Sequence, residues 1–376
     1  MSLGRALAPH ADVLGRELLK LPLEAPRAGT LGHRKSSVRA VLHSGEVRKN
    51  SRVAAGSRVE NPGGGKTSRL HGRPEAARRL ARVAAEDDRA ETEPAGDERV
   101  PAPEAAGPVR KPPAEAVAEA RVRAPSRGNR KLESFLAAVN EDDQVRAWWY
   151  MAQVHAERLG MSDHSWVHVQ IVLNVSLRLL RLLAKAGVEP AMVSDHGMGQ
   201  RDAEVVVAAG SLFHDVGMSI HRADHEAYSL FMAREALGRL LADAYEEPWR
   251  SIVIAESLHA IIGHRRRGEP YTLEAGVVRV ADGLDLAQGR SRLPIEAGHE
   301  GIHSISAAAI DEVRISAGKR LPIRIEIEMN NSAGIFQVDD LLATKLRGTP
   351  LEDRVEIVAE VKGESEKRLL SGFSLP

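Results

Sequence analysis

The chain has 376 residues, a net charge of zero and no cysteine. The absence of cysteine excludes disulfides, thiolate metal ligands and a cysteine nucleophile, is typical of a reducing compartment, and predicts a cytoplasmic protein. We find no uninterrupted apolar run that reaches the length of about 18 residues needed to span a membrane, so we predict no membrane partner. A chain of this length ordinarily forms two or three domains.

The two parts of the chain differ in charge and composition. Residues 1–130 contain 25 Lys and Arg against 16 Asp and Glu, whereas the remainder contains 27 against 36. The first aromatic residue is Phe135. A segment rich in Arg, Ala, Pro and Gly that has no aromatic residue buries too little apolar surface to offset its chain entropy. We therefore predict that residues 1–130 form a basic, largely disordered tail.

Residues 131–292 are predicted to form a bundle of five to seven helices. Apolar residues recur with helical spacing in residues 141–159, 166–186, 224–242 and 273–288, and a further helix begins at Pro248. Another apolar stretch starts at Val205 and runs into residues 211–217, SLFHDVG. We predict that this stretch is a buried helix, and that it ends at Gly217 because glycine is common at helix C-termini.

The hydrophobic spacing changes after residue 292. Residues 313–316, 323–329 and 355–361 alternate between apolar and polar, as strands do, and residues 338–346 are predicted to form a short helix. This order predicts a small α+β module over residues 293–376. The predicted fold class is therefore mainly α, with a helical bundle followed by this C-terminal module.

The last turn of the predicted buried helix contains His214 and Asp215. Two ionisable groups in an apolar element cost desolvation energy unless a partner satisfies them. A divalent metal is such a partner, because imidazole and carboxylate are both metal ligands. For these two residues alone, a hydrogen-bonded pair at a helix end remains the alternative. Four further candidate ligands occur on the helical part, namely His168, His225, His264 and Asp282.

Two of these positions have competitors nearby in the chain. His221 lies one turn before His225 and could replace it as a ligand. His259 competes with His264, and we favour His264 because it lies at the predicted end of its helix. Asp163 and His164 lie about one turn before His168, so they are candidates for orienting its ring.

The ordered set of a lone His, a His-Asp pair, two further His and a late Asp resembles the HD superfamily of metal-dependent phosphohydrolases. The resemblance extends to the local contexts DHSWVH at 163–168, SLFHDVG at 211–217 and VADGLDLAQGR at 280–290. It covers roughly residues 140–292. It therefore implies an HD-type helical bundle over residues 131–292.

The resemblance also implies the roles of the candidate ligands. His168, His214, Asp215 and Asp282 match the core ligands of the family. His225 and His264 match the ligands of a second metal. His225 is preferred to His221 because it lies about ten residues after the His-Asp pair. Asp215 would bridge two divalent transition-metal ions, Mn, Fe, Co or Ni, and a bridging hydroxide would attack phosphorus.

Phosphate binding and proton transfer need further side chains. We expect Arg290 and Arg292 to bind substrate, because arginine holds phosphate oxygens with two parallel hydrogen bonds. Asp285 lies three residues after Asp282, shares its predicted helix face and is assigned to the same substrate site. Besides Asp215, His164 is the candidate catalytic residue, as the acid for the leaving group.

These features predict a phosphohydrolase that cleaves a phosphomonoester or phosphodiester, with a nucleotide as the first substrate class. One alternative is an RNA phosphodiesterase that recruits RNA through the basic tail, although the acidic folded part disfavours nucleic acid as a partner. The other is a metal- or ligand-sensing module without catalysis, in which the C-terminal module makes a homo-oligomer interface.

Overall fold

The computed structural model describes residues 39–42, 111–265, 268–286 and 306–362, excluding the side chains of residues 39–42, 340 and 341. The helices are α1 (Pro113–Glu119), α2 (Arg130–Glu141), α3 (Asp143–Arg158), α4 (Trp166–Lys185), α5 (Ala191–Ser194), α6 (Gln200–Phe213), α7 (His225–Leu240), α8 (Trp249–Gly263), α9 (Leu273–Asp282) and α10 (Thr344–Leu346). The strands are β1 (Arg39–Leu42), β2 (Ile310–Ala317), β3 (Ile323–Met329) and β4 (Val355–Val361).

Helix α6 is the central element of the bundle. All its residues from Val205 to Phe213 are buried, and α4, α8 and α9 pack around it. A helix that is apolar on every side is stable only where neighbouring elements cover every side. The sequence of α6 therefore places its C-terminal end, and the His-Asp pair that follows, in the interior.

Helix α4 is long and apolar enough to cross a membrane by length and composition, with 20 residues and a mean hydropathy of 1.4 over its most apolar 18-residue window. In the structure 56% of its most apolar window is buried. Its two arginines make contacts within the protein: Arg178 donates to the carbonyl of Ile315 (2.7 Å) and Arg181 to Glu204 (2.7 Å). These contacts and its burial are those of a core helix of the bundle.

Most predicted helices begin and end within two residues of their observed bounds, as α3, α4 and α7 do. The prediction that the central helix ends at Gly217 is wrong, because α6 ends at Phe213 and residues Val216–Ser219 form a separate 3-10 turn. Helix α9 is also shorter than predicted and ends at Asp282.

The C-terminal module is built on a four-stranded sheet in the order β1-β4-β3-β2. Strand β3 pairs with β2 in antiparallel and with β4 in parallel orientation, and β1 pairs with the other edge of β4 in antiparallel orientation. Between β3 and β4 the chain forms a π-helical segment, Gln337–Ala343, which continues into α10. The predicted strand-strand-helix-strand order is therefore present, and a strand from the N-terminal region extends the sheet.

The folded part begins earlier than the predicted boundary at residue 131. Helix α1 precedes it, Ala120 and Val122 are buried in the core, and the Asn140 side chain pairs with both backbone groups of Val122 (2.8 Å each). Strand β1 also lies inside the predicted tail. Both segments are short, so composition averaged over 130 residues concealed them. Residues 1–38 and 43–110 of the predicted tail lie outside the described residues.

Candidate metal centre

The His-Asp pair lies where α6 stops and the chain turns towards α7. The buried hydroxyl of Ser229 donates to the carbonyl of His214 (2.8 Å) and accepts from the amide of Gly217 (2.9 Å). Buried backbone groups need such partners wherever a helix ends inside a protein. Ser229 therefore lets the chain turn in the interior and direct the side chains of His214 and Asp215 towards one point.

One group of ligand atoms combines three elements of the bundle. His168 near the start of α4, His214 after α6 and Asp282 at the end of α9 bring their ligand atoms within 4.8 Å of one another. The Nε2 atoms of His168 and His214 are 3.2 Å apart, and they lie 3.5 and 4.0 Å from Oδ1 of Asp282. All three residues are buried. They form the first candidate ion position.

A second group lies beside the first. Asp215, His225 at the start of α7 and His264 after the end of α8 also bring their ligand atoms within 4.8 Å of one another. Oδ1 of Asp215 is 3.1 Å from Nε2 of His225 and 3.6 Å from Nε2 of His264. These residues are also buried and form the second candidate ion position.

Asp215 is a member of the second group and also faces the first. Its Oδ1 faces the two histidines of the second position, and its Oδ2 lies 3.5 Å from Nε2 of His168 and 3.3 Å from Nε2 of His214. Burial alone would raise the pKa of the Asp215 carboxyl, but the charge of His214 and hydrogen bonds from the surrounding histidines hold that pKa well below its usual range. Asp215 is therefore a carboxylate with one oxygen directed at each position.

The four histidines share one orientation, with Nε2 towards the centre and Nδ1 held from outside. Nδ1 of His214 contacts the carbonyl of Ser211 (2.8 Å), that of His225 the carbonyl of Arg222 (3.0 Å) and that of His264 the carbonyl of Ile261 (2.5 Å). Nδ1 of His168 instead contacts Oδ2 of Asp285 (2.7 Å). Metal-binding histidines ordinarily donate Nδ1–H in this way, which leaves the Nε2 lone pair for the metal.

These residues fit divalent metal ions. Imidazole and carboxylate are suitable ligands for such ions, and a carboxylate placed between two positions, as Asp215 is, would offset the repulsion between two bound ions. Burial lowers the pKa of His264 and therefore favours the neutral ring that binds metals. For His225, burial acts in the same direction, but the contact with Asp215 raises the pKa overall.

The structure brings all six predicted ligands together and gives other contacts to their competitors. His221 is exposed, and its Nδ1 accepts a hydrogen bond from the amide of Ala223 (3.0 Å). His259 accepts one from the amide of Tyr271 (2.9 Å), and the two rings stack with their centres 4.8 Å apart.

We expect His225→Asn to lower the ions bound from about two per chain to about one, because it removes a ligand of the second position alone. The matched substitution His221→Asn should leave the metal content unchanged, since His221 lies outside both groups. Elemental analysis of the two variants after dialysis checks the prediction. Equal metal contents in the two variants would contradict it.

Two further residues predicted near His168 and Asp282 also lie at the centre. Asp285 was expected to bind substrate, but it is buried and holds the ring of His168. Asp163, a candidate for orienting the same ring, accepts a hydrogen bond from the amide of Ser165 (2.7 Å) at the start of α4 and interacts electrostatically with His168. Burial raises the pKa of its carboxyl.

His164 lies at the edge of the centre. Its ring centre is 5.8 Å from that of His168, and its Nδ1 contacts the carbonyl of Ser162 (2.7 Å). The predicted phosphate ligands Arg290 and Arg292 lie outside the residues that the structure describes.

Sequence reasoning missed several residues that contact the ligands. Lys345 of α10 donates to Asp282 (2.7 Å), and Glu226 lies 3.3 Å from Nδ1 of His225. Ser229 shapes the turn after α6, as described above. Glu226 and Ser229 lie one residue and one turn after His225, so they could have been found by examining its neighbours. No local signal points to Lys345.

The fold and the paired groups define a helical domain that can hold divalent metals. The HD domain family matches residues 172–287, a range that begins four residues after His168 and includes the other five candidate ligands. The chain is 39% identical over 225 residues to MJ1020, an uncharacterized protein of Methanocaldococcus jannaschii, an alignment that spans 60% of this chain and 87% of the relative. No solved structure matches the chain. The chain belongs to the HD-domain superfamily, whose members bind divalent metals and are typically hydrolases.

Proposed function

We propose that the protein is a phosphohydrolase that cleaves a phosphomonoester or phosphodiester, in the first instance of a nucleotide, with two divalent transition-metal ions. The observation that supports this most is the shared carboxylate of Asp215, whose two oxygens face two different pairs of histidines at 3.1–3.6 Å. A single-ion or purely structural site would have no need for a carboxylate aimed at two positions.

When bound, the ions would supply an activated water and neutralise the charge that develops on the phosphoryl oxygens. The chain offers four donors at the first position, from His168, His214, Asp282 and one oxygen of Asp215. It offers three at the second, from His225, His264 and the other oxygen of Asp215. Transition-metal ions commonly take more donors than these, so water and substrate oxygens would complete both sets.

His164 is the proposed proton donor to the leaving oxygen. Since its Nδ1 is engaged by the carbonyl of Ser162, Nε2 is the nitrogen that would carry the transferable proton. This nitrogen belongs to a ring next to His168. Arg290 and Arg292 remain the proposed phosphate ligands.

The test is metal-dependent hydrolysis by the full chain. The protein is stripped with a chelator and reloaded with Mn²⁺. It is then assayed with p-nitrophenyl phosphate, bis-p-nitrophenyl phosphate, a panel of nucleoside phosphates and a single-stranded RNA. We expect turnover of at least one phosphomonoester or phosphodiester that disappears on chelation and returns with the ion.

A protein that binds about two ions per chain and hydrolyses none of these compounds would contradict the proposal and indicate the sensing alternative. Cleavage of the RNA in preference to every nucleotide would contradict the proposed substrate class and indicate the RNA phosphodiesterase.

A further inference from the structure

Lys345 brings the C-terminal module into contact with the metal centre. Its Nζ donates to Oδ2 of Asp282 (2.7 Å) and to the backbone carbonyl of His264 (2.7 Å). The side chain is only 19% exposed. One ammonium group therefore contacts a ligand of the first ion position and the backbone of a ligand of the second.

Arg279 fixes the segment that carries Lys345. The guanidinium of this buried residue donates to the carbonyl of Lys345 (2.9 Å) and, on its other side, to the carbonyl of Arg265 (2.6 Å) and to that of Gly268. It thereby joins the loop after α8 to α10. An arginine can hold several acceptors in one plane, because its donors point in fixed directions.

Gly283 leaves room for the lysine stem. A Cβ atom at this position would lie 3.1 Å from both Cβ and Cγ of Lys345. The stem therefore runs directly over the turn that follows Asp282. Arg279 therefore fixes the backbone of Lys345, and Gly283 leaves the space in which the lysine stem reaches this carboxylate.

The two oxygens of Asp282 face different partners. Oδ1 faces Nε2 of His168 and of His214, while Oδ2 accepts from Lys345. A carboxylate with one oxygen held in a charge-assisted hydrogen bond presents the other oxygen in a defined direction. Partners of this kind orient metal ligands, and removing one typically weakens metal binding by about 10–100-fold.

We propose that Lys345 is a positioning residue that holds Asp282 so that a single oxygen, Oδ1, binds the first ion. In this arrangement the metal centre is completed by the C-terminal module, which the HD-domain match at residues 172–287 does not include. The inference rests on the proposed metal site and adds to it a contribution from outside the helical bundle.

The test is Mn²⁺ binding without substrate, measured by calorimetric titration of the chelator-treated full chain. We expect Lys345→Met to weaken binding at the first position by about 10–100-fold. We expect Lys345→Arg to recover most of the affinity, because arginine retains the charge and the donors. Lys362→Met is the matched control, since Lys362 is an exposed residue that pairs with Glu328 on the sheet of the same module. It should bind as the unchanged protein does.

A second measurement uses Co²⁺ as a spectroscopic probe. Without Lys345, both oxygens of Asp282 become available to the ion, and a higher coordination number weakens the visible absorption of bound Co²⁺. We expect a weaker band in Lys345→Met and an unchanged band in Lys362→Met, with thermal unfolding of each variant confirming that it is folded.

If a folded Lys345→Met variant binds Mn²⁺ as tightly as the unchanged protein, or more tightly, the proposal is overturned. An unaltered Co²⁺ band in this variant would overturn it too. Because both measurements omit substrate, they separate this inference from the proposed function. A protein that binds ions and hydrolyses nothing contradicts the function alone.

Discussion

Asp215→Asn is expected to reduce bound metal at both positions and to lower turnover roughly a thousandfold. The carboxylate directs one oxygen at each candidate ion position, so an amide in its place removes the negative charge between the two positions. Metal ions contribute several kcal/mol to the stabilisation of a phosphoryl transition state, and each 1.36 kcal/mol corresponds to about tenfold in rate. Elemental analysis and the assay of bis-p-nitrophenyl phosphate on the same preparation measure the two effects.

Asp224→Asn is the matched control for this substitution. Asp224 is exposed, and its φ of 59° lies in the left-handed region that asparagine adopts well. The control should retain both the ions and the activity. If Asp215→Asn kept both as well, the shared carboxylate could not be the basis of the site.

Gly217→Ala is expected to destabilise the fold by about 3 kcal/mol or more and to disrupt the second ion position. A Cβ at residue 217 would lie 2.7 Å from the amide nitrogen of Ser229 and closer still to the carbonyl oxygen of His225. These are backbone atoms of α7, which cannot rotate away as a side chain can. The helix must shift, and His225 moves with it.

Gly238→Ala in the same helix is the control, because no atom lies within 4 Å of the added methyl group. Alanine is a better helix former than glycine by about 1 kcal/mol, so this variant should be slightly more stable than the unchanged protein. Urea denaturation and metal content together check the pair. A Gly217→Ala protein of unchanged stability and metal content would contradict the close approach of the two elements.

The ligands could be predicted because each lies at a helix end or on an apolar helix face. His168 lies on the apolar stripe of α4, and His264 follows the last residue of α8. Helical spacing therefore located most of them in the interior, and the family resemblance supplied the choice between His225 and His221. The geometry agrees with that choice, since His221 faces solvent.

The contacts of Asp285 and Lys345 join residues that are far apart in the chain, and no local pattern encodes such contacts. Asp285 was recognised as a neighbour of Asp282, yet its partner His168 is 117 residues away, so its orienting role was invisible. Lys345 reaches Asp282 across 63 residues and from a different module. Glycine at residue 217 was explained as a helix terminus, whereas its function is to admit the backbone of α7.

Strand β1 closes one side of the C-terminal sheet by pairing with β4. A shortened protein that starts just before the helical bundle would lose this strand, and the backbone amides and carbonyls on that side of β4 would face solvent. Exposed strands of this kind serve as templates for other chains and promote aggregation. Poor solubility of such truncations would therefore reflect an uncovered strand, and it would say nothing about whether the helical bundle can fold.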